Sequence, residues 1–146
     1  MADRGAIEAM FARCGYESRY GRFLAPVVEF PTEQLAPALR PGSGHHVWLA
    51  KPGGEPETVV ALGSWALAGT HAEVALLVED SWQRRGVGTA LLDLLVAEAR
   101  ERGVCRLTAV VLRESRHVVR MLRRAATRTT TTAEGALSEI LMDVCA

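Results

Sequence analysis

The residues best suited to chemistry lie in one stretch, VEDSWQRRGVGTALL, where a strand pattern ending at Val78 passes through Gln83-Arg84-Arg85-Gly86-Val87-Gly88 into a helical one. A glycine-rich turn at a helix start leaves backbone N–H groups without intrahelical acceptors, and the helix dipole adds positive potential there. That suits a phosphate or diphosphate, which can approach because no Cβ intervenes. Taken alone, G-x-G before a helix also describes a plain tight turn. Two nucleotide motifs fail: there is no G-x-G-x-x-G after a first strand with an acid about 20 positions on, and no G-K-[S/T]. Dinucleotides and ATP are disfavoured. Glu73 also stands out, as an acid near the start of the otherwise apolar strand 72–78. If Val74, Leu76 and Val78 face one way, then Glu73, Ala75 and Leu77 face the other. An acid in such a strand needs a reason, and the plain one is a rim carboxylate paired with an arginine.

The segment Gln83 to Gly88 matches the Q/R-x-x-G-x-G/A signature, and with the strand before it and the amphipathic helix after it the chain resembles the GNAT family of N-acetyltransferases. A shorter likeness, ESRYGRFLAP at 17–26, resembles the helical segment of bacterial protein-lysine acetyltransferase domains. The resemblance implies acetyl-CoA as donor, its diphosphate held by backbone amides of Arg84, Arg85, Gly86, Val87, Gly88 and Thr89. The pantetheine arm would run along Leu76, Leu77 and Val78, in a gap where this strand splays from the next parallel one. An N–H near Val78 would bond the thioester carbonyl and stabilise the oxyanion that forms there. Glu73 falls where many family members carry a general base. The acceptor so implied is a primary amine, a protein lysine before a small molecule.

The family's usual Asn at the start of the last helix, its Tyr seven residues on, and its Gly-Phe are here Ser115, Leu122, Ala126 and Thr127. The usual proton donor is absent, so the thiolate departs unassisted or through water, or else the chain binds acyl-CoA without turnover. Ser115 would replace part of the Asn contact to the cofactor arm, while Tyr16 and Tyr20 would line the acceptor cleft. No Ser or Cys has a neighbouring base at a spacing that would make a covalent acyl-enzyme.

These residues need a frame. Ile7, Met10 and Phe11, then Tyr16, Tyr20, Phe23 and Leu24, recur at helical spacing with a break at Cys14-Gly15, and Pro26 and Pro31 end the pattern. Strand patterns follow at 46–50, 58–68 and 72–80. A helix with Val87, Leu91, Leu92, Leu94, Leu95 and Ala99 on its apolar stripe closes at Gly103. A strand at 106–112, a helix at 115–125 capped by Ser115, and a hairpin of 127–132 with 136–144 complete the order. The fold class expected is α/β: a mixed, mostly antiparallel sheet with a central right-handed βαβ unit and helices on both faces, forming one domain over residues 1–146. Family members usually open with a strand before the first helix, and only Met1 to Gly5 precede it here. Its loss would leave the edge at 46–50 or 58–68 open to a second subunit, one route to a homodimer.

Composition sets the outer bounds. Hydrophobic residues at 49% and charged residues at 23% fit a folded chain and not a disordered one. Seventeen basic side chains balance 17 acidic ones, so no bulk field gathers nucleic acid or an anionic membrane. Arg116, Arg120, Arg123 and Arg124 form one positive helix face, read as solvated or as meeting phosphate or an acidic partner. No apolar run reaches the roughly 20 residues of a membrane span, and no signal-peptide pattern is visible, which points to the cytoplasm. Cys14, Cys105 and Cys145 include no C-x-x-C, and all three are expected to be free structural thiols. His45, His46 and His71 lack partners at ligand spacing, so no metal site is expected.

Overall fold

The computed structural model describes residues 3–23 and 44–145. Leu24, Pro26 and Pro31 lie outside them. Helices α1 (Arg4–Arg13) and α2 (Tyr16–Phe23) come first, then strands β1 (His45–Ala50), β2 (Ala61–Ala68) and β3 (His71–Val78). A 3-10 turn at Asp80–Trp82 leads to α3 (Val87–Glu101), followed by β4 (Arg106–Leu112), α4 (Arg116–Ala125), β5 (Arg128–Glu134) and β6 (Leu137–Asp143). The strands form one sheet in the order β1-β2-β3-β4-β6-β5, with β3 and β4 parallel and the other pairs antiparallel. The α/β class, the central βαβ unit and the helices on both faces are as expected.

Alternation along the strands sorts the core. Ala72 and Val74 of β3, Leu107, Ala109 and Val111 of β4, and Ile140 and Met142 of β6 pack with Leu92, Leu95 and Ala99 of α3 and Leu122 of α4. Leu62 and Leu77 point the opposite way, against Ile7, Met10 and Phe11 of α1. Burying such side chains contributes about 1.5–3 kcal/mol each, which holds both helical layers to the sheet. Glu98 of α3 adds a polar tie: its Oε1 accepts from Trp65 Nε1 at 2.8 Å and from Trp48 Nε1 at 3.3 Å. His46 stacks on Trp65 with ring centroids 4.1 Å apart, and burial lowers its pKa.

Helix α3 ends where the sequence says it should. Gly103 takes φ 78°, its N–H donates to Arg100 O, and Val104 N–H donates to Ala99 O at 2.8 Å, a left-handed cap that satisfies the last carbonyls. Ser115 sits at the N-cap of α4, but its side chain makes no capping bond, so only its backbone serves that end. The strand expected at 58–68 begins at Ala61, and Val60 just before it still donates to Ala50 O and accepts from Glu79 N–H, each at 2.9 Å. Among the described residues no strand precedes α1, and β1 has a strand neighbour on one side only. No described helix is long and apolar enough to cross a membrane.

The cysteines require a correction. Cys105 and Cys145 form a disulfide across the ends of β4 and β6, with Cα atoms 5.0 Å apart. The antiparallel register that pairs Arg106 with Asp143, and the bond from Val144 N–H to Cys105 O, bring them together. Forty residues of sequence separation hid this. Cys14 is free and buried, as read, and burial, aided by Asp80 and Glu79, pushes its thiol up to about 11. Alkylation at pH 8 without reductant should therefore label no cysteine in the native protein and one in urea. After reduction in urea it should label all three. Three labels in unreduced urea would contradict the disulfide.

Candidate active site

Strand β3 pairs with β2 along its whole length, from Ala61↔Val78 to Ala68↔His71. With β4 it pairs only at Ala72↔Leu107 and Glu73↔Thr108, while β4 stays zipped to β6 as far as Leu112↔Leu137. The two parallel strands thus diverge into a V open at their C-terminal ends. Glu79 N–H donates to Val60 O at 2.9 Å. Bonding alternates along an antiparallel strand, so Ala75 and Leu77 also spend their backbone groups on β2, and Leu76 and Val78 turn theirs into the V. The Val78 carbonyl accepts from Gln83 Nε2 at 3.0 Å, which leaves the Val78 N–H directed at the opening. Leu77 is different: its side chain is buried against α1, so it packs the core instead of lining the gap.

The turn above the V is built to gather amides. Arg84 at φ 59° and Gly86 at φ 87° are both left-handed, a reversal that brings successive N–H groups into one concave run. A non-glycine residue there costs about 1–2 kcal/mol, a cost of a kind that recurs at ligand clamps. Helix α3 begins with Gly86 as N-cap and no side-chain cap; Ala90 is the first to bond back, to Gly86 O at 3.0 Å. The amides of Val87, Gly88 and Thr89 therefore lack intrahelical acceptors. Arg84 and Arg85 are exposed, and Arg85 lies 4.3 Å over the Trp82 ring. A Cβ on Gly88 would lie 3.5 Å from Met121 Sδ and 3.7 Å from Val78 Cγ2, ordinary contacts that place this glycine where α3, α4 and the end of β3 meet.

Glu73 is exposed on the face that α1 covers higher up, beside Thr108, whose hydroxyl donates to Ala72 O at 3.5 Å. No ion pair of Glu73 forms among the described residues. Helix α2 packs on β3 and β4, carrying Tyr16 and Tyr20 with ring centroids 5.8 Å apart and Tyr16 well exposed. Ser115 follows the end of β4, its N–H bonded to Leu112 O at 2.9 Å. Leu122 is 2% exposed in the core and has no proton to give. Among the described residues no three His, Cys, Asp or Glu side chains gather as a metal group.

One group of contacts was invisible in the sequence. Asp80 Oδ1 accepts from Gly15 N–H at 3.1 Å and from Ser18 Oγ at 2.7 Å, while Gln83 Nε2 donates to Ser18 Oγ at 2.7 Å. Arg13 pairs with Glu79 and donates to Val59 O at 2.8 Å. The signature identified Gln83 but not its partner Ser18, which lies 65 residues away.

A V between parallel strands, capped by an amide-lined turn, is what the resemblance anticipated. Residues 6–126 match the acetyltransferase (GNAT) family. The chain belongs to the GNAT family. This GNAT chain is similar to the GNAT domain of S. lividans PAT, with 25% identity, a TM-score of 0.83, and coverage of 97% of this chain and 85% of that one. It is also similar in fold to yncA of Salmonella typhimurium, a putative acetyltransferase solved with acetyl-CoA, at 18% identity and TM-score 0.73 over 99% of this chain and 90% of that one. A cAMP-binding acyltransferase from Mycobacterium smegmatis matches at 29% identity and TM-score 0.63, over 89% of this chain and 40% of that longer one.

Proposed function

We propose that this protein transfers an acetyl group from acetyl-CoA to a primary amine, a protein lysine, by direct attack, and that residues 1–146 act as one catalytic domain. The observation that carries the reading is the loss of β3–β4 pairing after Glu73↔Thr108, directly below the uncapped start of α3. The amides of Arg84 to Thr89 would hold the donor's diphosphate. Leu76 and Val78 would bond the pantetheine arm and thioester carbonyl. As the amine attacks, charge builds on that carbonyl oxygen, and the Val78 N–H offers it a fixed donor.

Glu73 supplies the proton acceptor. A lysine amine with pKa about 10.4 is neutral in roughly one molecule per thousand near pH 7.4, a handicap of about 4 kcal/mol, so a base that removes the proton acts on the largest part of the barrier. The leaving thiol, with pKa around 8.5, poses a smaller problem and can depart as thiolate without a side-chain acid. That asymmetry fits a site with a glutamate and with Leu122 in place of the usual Tyr. A covalent acyl-enzyme finds no support: Cys14 is buried and held protonated, and Cys105 and Cys145 are bonded to each other.

The similarity to S. lividans PAT and the ESRYGRFLAP likeness favour a protein lysine as acceptor. Steady-state thiol release from acetyl-CoA, read with lysine peptides, whole proteins and small amines, tests this. Turnover is expected on lysine-bearing polypeptides. Turnover confined to small amines would move the acceptor, and affinity without turnover on any acceptor would make this a binding module.

A further inference from the structure

The tie between α2 and the cofactor turn is more extensive than packing requires. Asp80 Oδ1 takes two donors from the start of α2, the Gly15 amide at 3.1 Å and the Ser18 hydroxyl at 2.7 Å. The Ser18 hydroxyl has one proton and gives it to Asp80, so its bond with Gln83 Nε2 at 2.7 Å is one in which Ser18 accepts. The same Gln83 nitrogen also donates to the Val78 carbonyl at 3.0 Å. Both amide protons of Gln83 are then spent, and its side chain is a strut joining the end of β3 to α2, with none left for a phosphate. The close fit extends to Gly15, where an added Cβ would lie 2.7 Å from Asp80 Oδ2.

These contacts join two sites that the chain keeps far apart. Val78 and the residues just after Gln83 would form the donor cradle, whereas α2 packs on β3 and β4 and carries Tyr16 and Tyr20, which would line the acceptor cleft. We propose that Ser18, Asp80 and Gln83 form a latch that couples donor binding to the position of α2, so that filling the diphosphate cradle orders the acceptor side. This rests on the proposed function. A turn held still by a bound diphosphate holds Asp80 and Gln83 still, and these hold Ser18 and Gly15. Linkage makes the effect reciprocal: whatever steadies α2 tightens the donor by the same factor. Ser18 and Asp80 are positioning residues, acting through the turn and not on substrate.

Amide hydrogen exchange with free CoA as the probe tests the latch. In the unaltered protein, saturating CoA should slow exchange across residues 15–23 by about fivefold or more, the low end of typical coupling. In Ser18→Ala, CoA should still bind, weakened by no more than about tenfold as reciprocity allows, while added protection at 15–23 falls below about twofold; Ser18→Thr, which keeps the hydroxyl, should restore it. Asp80→Ala should repeat the Ser18→Ala result and serves if that variant misfolds. Protection at 15–23 that is absent in the unaltered protein although CoA binds, or that persists in folded Ser18→Ala and Asp80→Ala, overturns the latch alone. Failure of CoA to bind the unaltered protein overturns the proposed function together with the latch.

Discussion

Gly88→Val should weaken acetyl-CoA binding by more than about a hundredfold while leaving the fold intact. A Cβ at residue 88 meets Met121 Sδ at 3.5 Å and Val78 Cγ2 at 3.7 Å, both ordinary contacts, so the first carbon is accommodated. The two further methyl groups of valine should crowd the approach of the diphosphate to the Val87, Gly88 and Thr89 amides. Hydrogen bonds to a charged group are worth about 1.5–3 kcal/mol each, and losing two of them exceeds the 2.8 kcal/mol or so of a hundredfold change. Gly86→Val should bind as poorly for a second reason, since φ 87° is hostile to a β-branched residue and the turn itself must rearrange. Calorimetry on variants whose melting is cooperative checks both. Normal affinity in folded Gly88→Val would place the diphosphate elsewhere.

Glu73→Gln should lower turnover by about a hundredfold or more and leave acetyl-CoA affinity unchanged, as expected when a general base is replaced by its isostere. The pH profile gives the stronger signature. With the base removed, the rate follows the free-amine fraction and rises about tenfold per pH unit from pH 7 towards the amine pKa of about 10.4. The unaltered enzyme should rise less steeply, because Glu73 takes the proton within the complex. Unchanged turnover in Glu73→Gln, or identical profiles for the two proteins, would remove Glu73 from the mechanism.

What the sequence disclosed is what local spacing can encode. The apolar stripe of α3, the glycines at 86, 88 and 103, and the alternation in β3 each act within a few residues, so they reveal the βαβ unit and the amide-lined turn without knowledge of what packs against them. Features made by long-range pairing were hidden. The disulfide depends on β4 lying beside β6, and nothing near Cys105 announces Cys145. Ser18 and Asp80 meet across 62 residues, and each reads alone as an ordinary helix or turn residue. The resemblance places Leu77 with Leu76 and Val78 along the cofactor arm, whereas the strand's own alternation puts it on the opposite face, and the structure buries it against α1.

Function was legible to the same depth. The Gln83–Gly88 signature leads to the GNAT family, and the family match over residues 6–126 agrees. Helix α2, β3 and β4 come together only through long-range packing, and no short motif records that assembly.

The most direct measurement of the central claim is calorimetric titration of the folded, unaltered protein with acetyl-CoA. Saturable one-to-one binding is expected, with a dissociation constant between about 1 μM and 1 mM, the usual range for an enzyme's substrate. No heat of association at millimolar acetyl-CoA would contradict it.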